Sequence, residues 1–349
     1  MAETAQNRLP TLDGIEPPAM LRIARIAPNS FPGLNTPARH SVSSAAAGIT
    51  RACMALDGGE RFPAILESDQ NHEAPLTVSQ SEKAGRFRAL HDGPGAFVIP
   101  NPWDCGSARI LAGLGFPALA TSSGAFAATL GRRDGNVRRE EALAHARAVV
   151  AAVDIPVSAD LENGFGHPPD VAAETVRLAA ETGLVGCSIE DATGEKDRPL
   201  YDFGQAVERV AAAAAAAQSL GFAFTLTARA ENFLRGNPDL DDTIRRLQAY
   251  EKAGADVLMA PGLPDLAAVE AVCAALSKPY NFMAGIRGKS FTTAALAAAG
   301  VRRISLASSL YRAAMSALID AAGEVREKGT FAYLDAAMTT PELNRYMQD

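Results

Sequence analysis

The stretch "PVSADLENGFG", residues 156–166, starts as an apolar strand and ends in two acids, Asp160 and Glu162, followed by Gly-Phe-Gly. Side chains two apart on a strand point the same way, so both carboxylates are expected on one face at the strand's end. Seven other short apolar runs share its character: "FVIPN" (97–101), "ALATSS" (118–123), "GCSIED" (186–191), "FTLTARA" (224–230), "VLMAP" (257–261), "YNFMAG" (280–285) and "RISLASS" (303–309). Helical stretches lie between them, among them "REEALAHARAVVAAV", "DVAAETVRLAAETG" and "DLDDTIRRLQAYEKAG", several closed by Gly. Apolar strands alternating with helices predict parallel strands covered on their outer faces. Eight such units in about 250 residues predict an α/β fold of the (β/α)8 TIM-barrel type. The rival, a doubly wound open sheet, usually has G-x-G-x-x-G after its first strand, and "NPWDCGSAR" is not that motif.

The 349 residues exceed what the barrel needs. Residues 1–78 mix Pro, Ser and Arg with short apolar patches and no sustained period, which predicts a disordered or accessory extension. Residues 79–349 form the predicted catalytic domain, opening on the amphipathic "SQSEKAGRFRALH" and closing on "SLYRAAMSALIDAAGEVREKG" and "FAYLDAAMTTPELNRYM". The surplus C-terminal helix is expected to pack either on another subunit or under its own barrel.

A net charge of −7 argues against a nucleic-acid partner. Four scattered cysteines, Cys53, Cys105, Cys187 and Cys273, form no C-x-x-C pair, so a reducing cytoplasm is expected. No run approaches the length of a membrane span, so no membrane association is expected.

Active sites of such barrels lie at the C-terminal strand ends. Here these ends carry Asn101 and Asp104, Ser122 to Gly124, Asp160 and Glu162, Glu190 and Asp191, Arg229 and Glu231, and Asn281. Acids this dense repel unless a cation neutralises them, and all-oxygen donors suit Mg²⁺, with Mn²⁺ as an alternative. Asp160, Glu162 and Glu190 are the expected metal-side acids. The competing reading is that they cap helices or pair with Arg and Lys. "TSSGAF" offers the Ser123 hydroxyl and the Gly124 and Ala125 amides to a carboxylate or oxyanion, or is a plain turn.

"NPWDCGSARILAGLGFPALATSSGAFAATLGRRDG", "PVSADLENGFG", "VGCSIEDATG" and "LTARAENF" together resemble the isocitrate lyase / phosphoenolpyruvate mutase superfamily, from about Ser79 to about Leu334. The resemblance implies a Mg²⁺-dependent barrel, usually tetrameric, whose eighth helix is exchanged between subunits. It implies a lyase, or an isomerase as runner-up, acting on a small 2-oxo or 2-hydroxy acid or phosphonate through a metal-stabilised enolate. The family's substrate-oxygen site falls on Ser123, Gly124 and Ala125, its "G-x-x-D" acid on Asp134, and its anion-holding arginine on Arg229. Asn281 joins them as a substrate-side residue.

Two departures stand out. Glu162 replaces the usual Asp. The loop after strand four, "EDATGEKDRPLYDF", has neither the lyase Lys-(Lys/Arg)-Cys-Gly-His nor the phosphonate-branch Pro-Lys-x-Asn, leaving Lys196 as the candidate replacement or a solvated loop lysine. A non-catalytic metabolite-binding barrel is a second reading. A Schiff-base aldolase is a third, but no strand run contains the lysine it needs.

Overall fold

The structure, a computed structural model, describes residues 78–289 and 291–347. The expected extension over residues 1–78 lies almost wholly outside the described residues. Helix α1 (Gln80–Asp92) precedes eight β/α units. The strands are β1 (Phe97–Ile99), β2 (Leu119–Ala120), β3 (Val157–Asp160), β4 (Gly186–Glu190), β5 (Thr225–Arg229), β6 (Val257–Met259), β7 (Tyr280–Met283) and β8 (Arg303–Ser305). Between them run α2 (Cys105–Gly113), α3 (Ser123–Thr129), α4 (Arg139–Ala152), α5 (Pro169–Ala180), α6 (Phe203–Gln218), α7 (Leu240–Lys252), α8 (Leu266–Ala274) and α9 (Thr293–Ala298). After β8 come α10 (Ser309–Lys328), a 3-10 turn and α11 (Thr340–Asn344).

Every strand pairing is parallel, in the order β1-β8-β7-β6-β5-β4-β3-β2. The β1–β2 seam has no ladder. It is joined by the Ala120 N–H donating to Pro100 O at 3.1 Å and by Asn101, whose amide donates to Thr121 O at 3.1 Å. The Asn101 Oδ1 also accepts from the Leu306 N–H at 2.8 Å, tying the seam to β8. The sheet is thus a nearly closed (β/α)8 barrel, as the alternation predicts.

The strands are less uniformly apolar than their runs imply. Val157, Ala159, Cys187, Ile189 and Leu226 face the helices on one side of the barrel, and Leu258, Tyr280, Phe282 and Ile304 face them on the other. The alternate residues Ser158, Asp160, Ser188, Glu190, Arg229, Asn281, Arg303 and Ser305 line the interior cavity. Barrel lumens are usually filled with Val, Ile and Leu. This one is largely small and polar, so its upper part stays open.

Helix α1 closes the opposite end. Ser79 and Glu82 form a capping box, and Phe87 packs with Ile99, Ala118 and Val185. Gly186 makes room for it: a Cβ there would lie 3.2 Å from the Phe87 ring and 2.6 Å from Thr225 O. At the C-terminus, Leu310 packs on the core and Tyr311 meets Trp103 edge-on, but α10 buries no residue, and Leu318 and Ile319 are 58% and 69% exposed.

Candidate active site

The C-terminal strand ends open into a cavity of about 1310 Å³, lined by Ser123, Gly124, Asp134, Asp160, Glu162, Glu190, Arg229, Glu231 and Asn281 among others. Arg229, at the end of β5, organises one wall. Its Nη1 lies 2.9 Å from Asp160 Oδ1, and its Nη2 lies 2.8 Å from Glu231 Oε1 and 3.2 Å from Glu190 Oε2. Arg235, four residues after Glu231 in the turn that follows β5, lies 3.1 Å from Glu190 Oε1 and 3.6 Å from Glu231 Oε2. Glu190 therefore gives both oxygens to guanidinium groups. Glu231 is fully buried, and its Oε2 has no hydrogen-bond partner among the described residues.

Asp160 is held from several directions. Its Oδ2 accepts from the Ser123 hydroxyl at 2.9 Å, and its Oδ1 accepts from Ser188 Oγ and the Glu162 N–H, both at 3.3 Å. Burial opposes its charge, but Arg229 and the Ser123 hydrogen bonds prevail and hold its pKa below the usual range. Glu162 is not on the strand as expected. β3 ends at Asp160, and Glu162 follows at φ 49°, in the left-handed region. A turn, not the strand pleat, brings its carboxyl into the cavity. Burial, then Asp160 and Asp134, push the Glu162 pKa up to about 7. Asp134 is likewise raised, by burial and then by Asp160. Gly124 permits its approach: a Cβ there would lie 3.1 Å from Asp134 Oδ2. Burial and the neighbouring Glu231 push Glu190 well up against the pull of Arg229.

The loop carrying Glu162 is fixed from beneath. Arg209 of α6, 1% exposed, donates to the carbonyls of Asn163, Gly166, His167 and Pro168 and lies over the Tyr201 ring at 4.3 Å.

The crowd bears on the expected cation. Of the seven carboxylates that line the cavity, Asp134, Asp160, Glu162, Glu190 and Glu231 stand near Arg229 and Arg235. Among the described residues, no three Asp, Glu, His or Cys side chains converge tightly enough to hold an ion unaided. Mg²⁺ does not need three: one or two carboxylates, with water and substrate oxygens, are its usual set. Asp160 and Glu162 offer that pair, with Asp134 near enough to repel both. The residues fit Mg²⁺ bound in that way.

The other expected residues are distributed unevenly. The Ala125 amide donates to its own helix cap, Ser122 Oγ, at 3.3 Å, while Gly124, beside it in the first turn of α3, lines the cavity. Asn281 is fully buried and bonds Ser305 and Arg303. Lys196 is exposed and does not line the cavity. Asp191 is structural, pairing with Arg246 at 3.1 Å and accepting from Tyr250 at 2.6 Å. Cys187 is buried on the outer strand face, and burial raises its pKa far beyond any reactive range. Sequence reasoning missed Arg235. Its i,i+4 spacing from Glu231 is the signal that could have found it.

A parallel barrel with buried acids and arginine at its C-terminal mouth defines a chain whose site is built from its βα loops. Residues 87–326 match the family model described as phosphoenolpyruvate phosphomutase, and the chain belongs to that family. A Burkholderia cenocepacia J2315 protein assigned provisionally as a lyase/mutase is 53% identical, with a TM-score of 0.75 over 76% of this chain and 96% of its own. An oxaloacetate decarboxylase of Pseudomonas aeruginosa is 30% identical over 77% of this chain and 92% of its own length. The structure of oxaloacetate acetylhydrolase with its product oxalate is 25% identical, with a TM-score of 0.70 over 77% of this chain and 94% of that one. Similar proteins thus carry the names of lyases, decarboxylases, hydrolases and mutases. Among the described residues, no helix is long and apolar enough to cross a membrane.

Proposed function

We propose that this chain is a Mg²⁺-dependent lyase that cleaves a C–C bond of a small 2-oxo or 2-hydroxy acid through an enolate, with Mn²⁺ able to replace Mg²⁺. The observation that carries the reading is the gathering of Asp134, Asp160 and Glu162 on one cavity lining, where burial first, and then the two neighbouring carboxylates, lift Glu162 to about 7. Like charges gathered this closely at a partly enclosed site favour a counter-charge beyond the one arginine that Asp160 already meets. Names among similar proteins, an oxaloacetate decarboxylase and an oxaloacetate acetylhydrolase, point to the same substrate class.

Asp160 and Glu162 would hold the ion. When bound it supplies Lewis acidity to the substrate's keto oxygen and carboxylate. The chain's own groups do the rest. Arg229 keeps Asp160 ionised and aimed, which its 2.9 Å contact explains. Ser123 fixes the other Asp160 oxygen. The Gly124 amide, at the start of α3 and on the cavity lining, would offer a donor to the growing oxyanion. The electron pair of the broken bond passes to the enolate, and a proton must then return to carbon. Asp134, whose pKa is raised and which lines the cavity, is placed to hold that proton or orient the water that brings it.

The exposed apolar face of α10 supports a homo-oligomer, dimer or tetramer, in which a second copy covers Leu318 and Ile319. The free thiols of Cys105, Cys187 and Cys273 fit a cytoplasmic setting.

The test is turnover of oxaloacetate, 2-methylisocitrate and phosphonopyruvate, with Mg²⁺ and with EDTA, followed by proton and phosphorus NMR. The reading expects Mg²⁺-dependent C–C cleavage of at least one acid. Turnover of phosphonopyruvate alone would move the assignment to C–P chemistry. Binding of the acids without product would make the chain a metabolite-binding barrel.

A further inference from the structure

The lumen holds a second buried arginine that the proposed reaction leaves idle. Arg303 opens β8 and is 5% exposed. Its Nε donates to Asn281 Oδ1 at 2.8 Å, its Nη2 to Thr227 Oγ1 at 2.7 Å, and its Nη1 faces His91 Nε2 at 3.3 Å. All three partners are neutral: burial and then the Arg303 charge drive the His91 pKa down to about 3. Among the described residues no carboxylate pairs with Arg303, whereas Arg229 in the same lumen has three. A guanidinium carries five N–H groups, so two of these have no acceptor among the described residues. Burial pulls its pKa down to about 9, so it stays charged at neutral pH. An unpaired buried charge is costly. It is tolerated where an anion arrives to share it, and Arg303 lines the same cavity as Asp160 and Glu162.

The neighbourhood supports an occupant. Ser305, which accepts from the Asn281 amide at 3.0 Å, lines the cavity beside Arg303, and Ser158 and Ser188 line it elsewhere, at positions that barrels normally fill with branched side chains. They leave room below the rim and offer hydroxyl groups.

We infer that Arg303, oriented by Asn281 and Thr227, is a second anion subsite on the cavity floor, taking the distal carboxylate of a 2-oxo or 2-hydroxy dicarboxylic acid. The inference rests on the functional reading above, which places the substrate's keto end at the Asp160 rim. It narrows the substrate from small acids in general to diacids.

Calorimetry with Mg²⁺ present tests it, using oxalate, malate and 2-hydroxybutanoate. Oxalate probes only the rim. Malate and 2-hydroxybutanoate have equal length and differ in the terminal group, carboxylate against methyl. The wild type is expected to prefer malate by about tenfold or more, as a charge-assisted hydrogen-bonded contact implies. Arg303→Gln should bring that preference to within about twofold while leaving oxalate affinity within about twofold of wild type. Equal binding of malate and 2-hydroxybutanoate by the wild type would overturn the subsite without touching the rim. Equal weakening of oxalate and malate in Arg303→Gln would show a purely structural arginine. Should that variant fail to fold, Arg303→Lys keeps the charge and must retain most of the malate preference, and the wild-type ratio stands alone as a test. No oxalate binding by the wild type would sink the functional reading, and the subsite with it.

Discussion

Arg229 and Arg303 are both buried arginines pointing into one barrel lumen, yet their surroundings are opposite. Arg229, on the β3–β5 side, meets Asp160, Glu190 and Glu231. Arg303, on the β7–β8 side, meets an amide, a hydroxyl and a neutral imidazole. One wall carries an excess of negative charge and the other an uncompensated positive one. The first is suited to a cation, the second to an anion, and a bound metal with an anionic substrate would satisfy both. The residue type does not decide the role. The charges delivered by neighbouring strands do.

The largest effect expected from breaking this arrangement is removal of the cation. EDTA should lower turnover by about a thousandfold or more, restored by Mg²⁺ or Mn²⁺, because the metal supplies several kcal/mol of charge stabilisation. A chelator-insensitive rate would show that the acidic wall serves another purpose.

Next is Arg229→Met, which takes from Asp160 its arginine and leaves Glu190 and Glu231 with Arg235 alone. Unfolding stability should fall by about 3–5 kcal/mol in denaturant titrations, the usual result of removing one partner from a buried ionic network. Turnover should fall by about a hundredfold or more even where the variant remains folded. A variant as stable as the wild type would mean that the wall is not held together by this residue.

A smaller effect concerns the positive wall. His91 is buried, and its pKa is lowered from 6.5 to about 3. The native imidazole therefore stays neutral while the unfolded one takes a proton below about pH 6.5. Its contribution is complete above pH 6.5 and is lost as pH falls toward 3, by about 1.4 kcal/mol per unit. The loss relative to neutral pH should reach about 2 kcal/mol near pH 5 and be absent from His91→Gln, read as the difference between the two melting profiles. Parallel profiles would show that His91 is protonated beside Arg303 after all.

The smallest effect is expected at Lys196. It is exposed, outside the cavity, on the loop between β4 and α6. Lys196→Ala should leave kcat/KM within about twofold, as surface changes away from a site usually do. A hundredfold loss would bring that loop over the site during turnover.

The barrel was legible because eight apolar runs and their intervening helices repeat at a regular spacing, and Asp160, Glu190 and Arg229 end strands, where barrel chemistry gathers. The electrostatic asymmetry was not legible. Asp160 and Arg229 are 69 positions apart, and only closure of the sheet puts them 2.9 Å from each other. Alternation predicts Glu162 on the strand, but β3 ends at Asp160 and the chain turns at Glu162, whose φ of 49° is a tertiary outcome. Arg303 stood in plain view at the start of "RISLASS", yet its lack of an acidic partner depends on what β1, β5 and β7 place opposite it.

The central claim is that this cavity stabilises the enolate of a 2-oxo acid. It is tested most directly by following the methyl protons of pyruvate in D₂O by NMR. With Mg²⁺ the wild type should exchange them for deuterium well above the rate of Mg²⁺ alone, and EDTA or Asp160→Asn should abolish the excess. Exchange no faster than Mg²⁺ in buffer, while the folded protein binds pyruvate, would contradict the account.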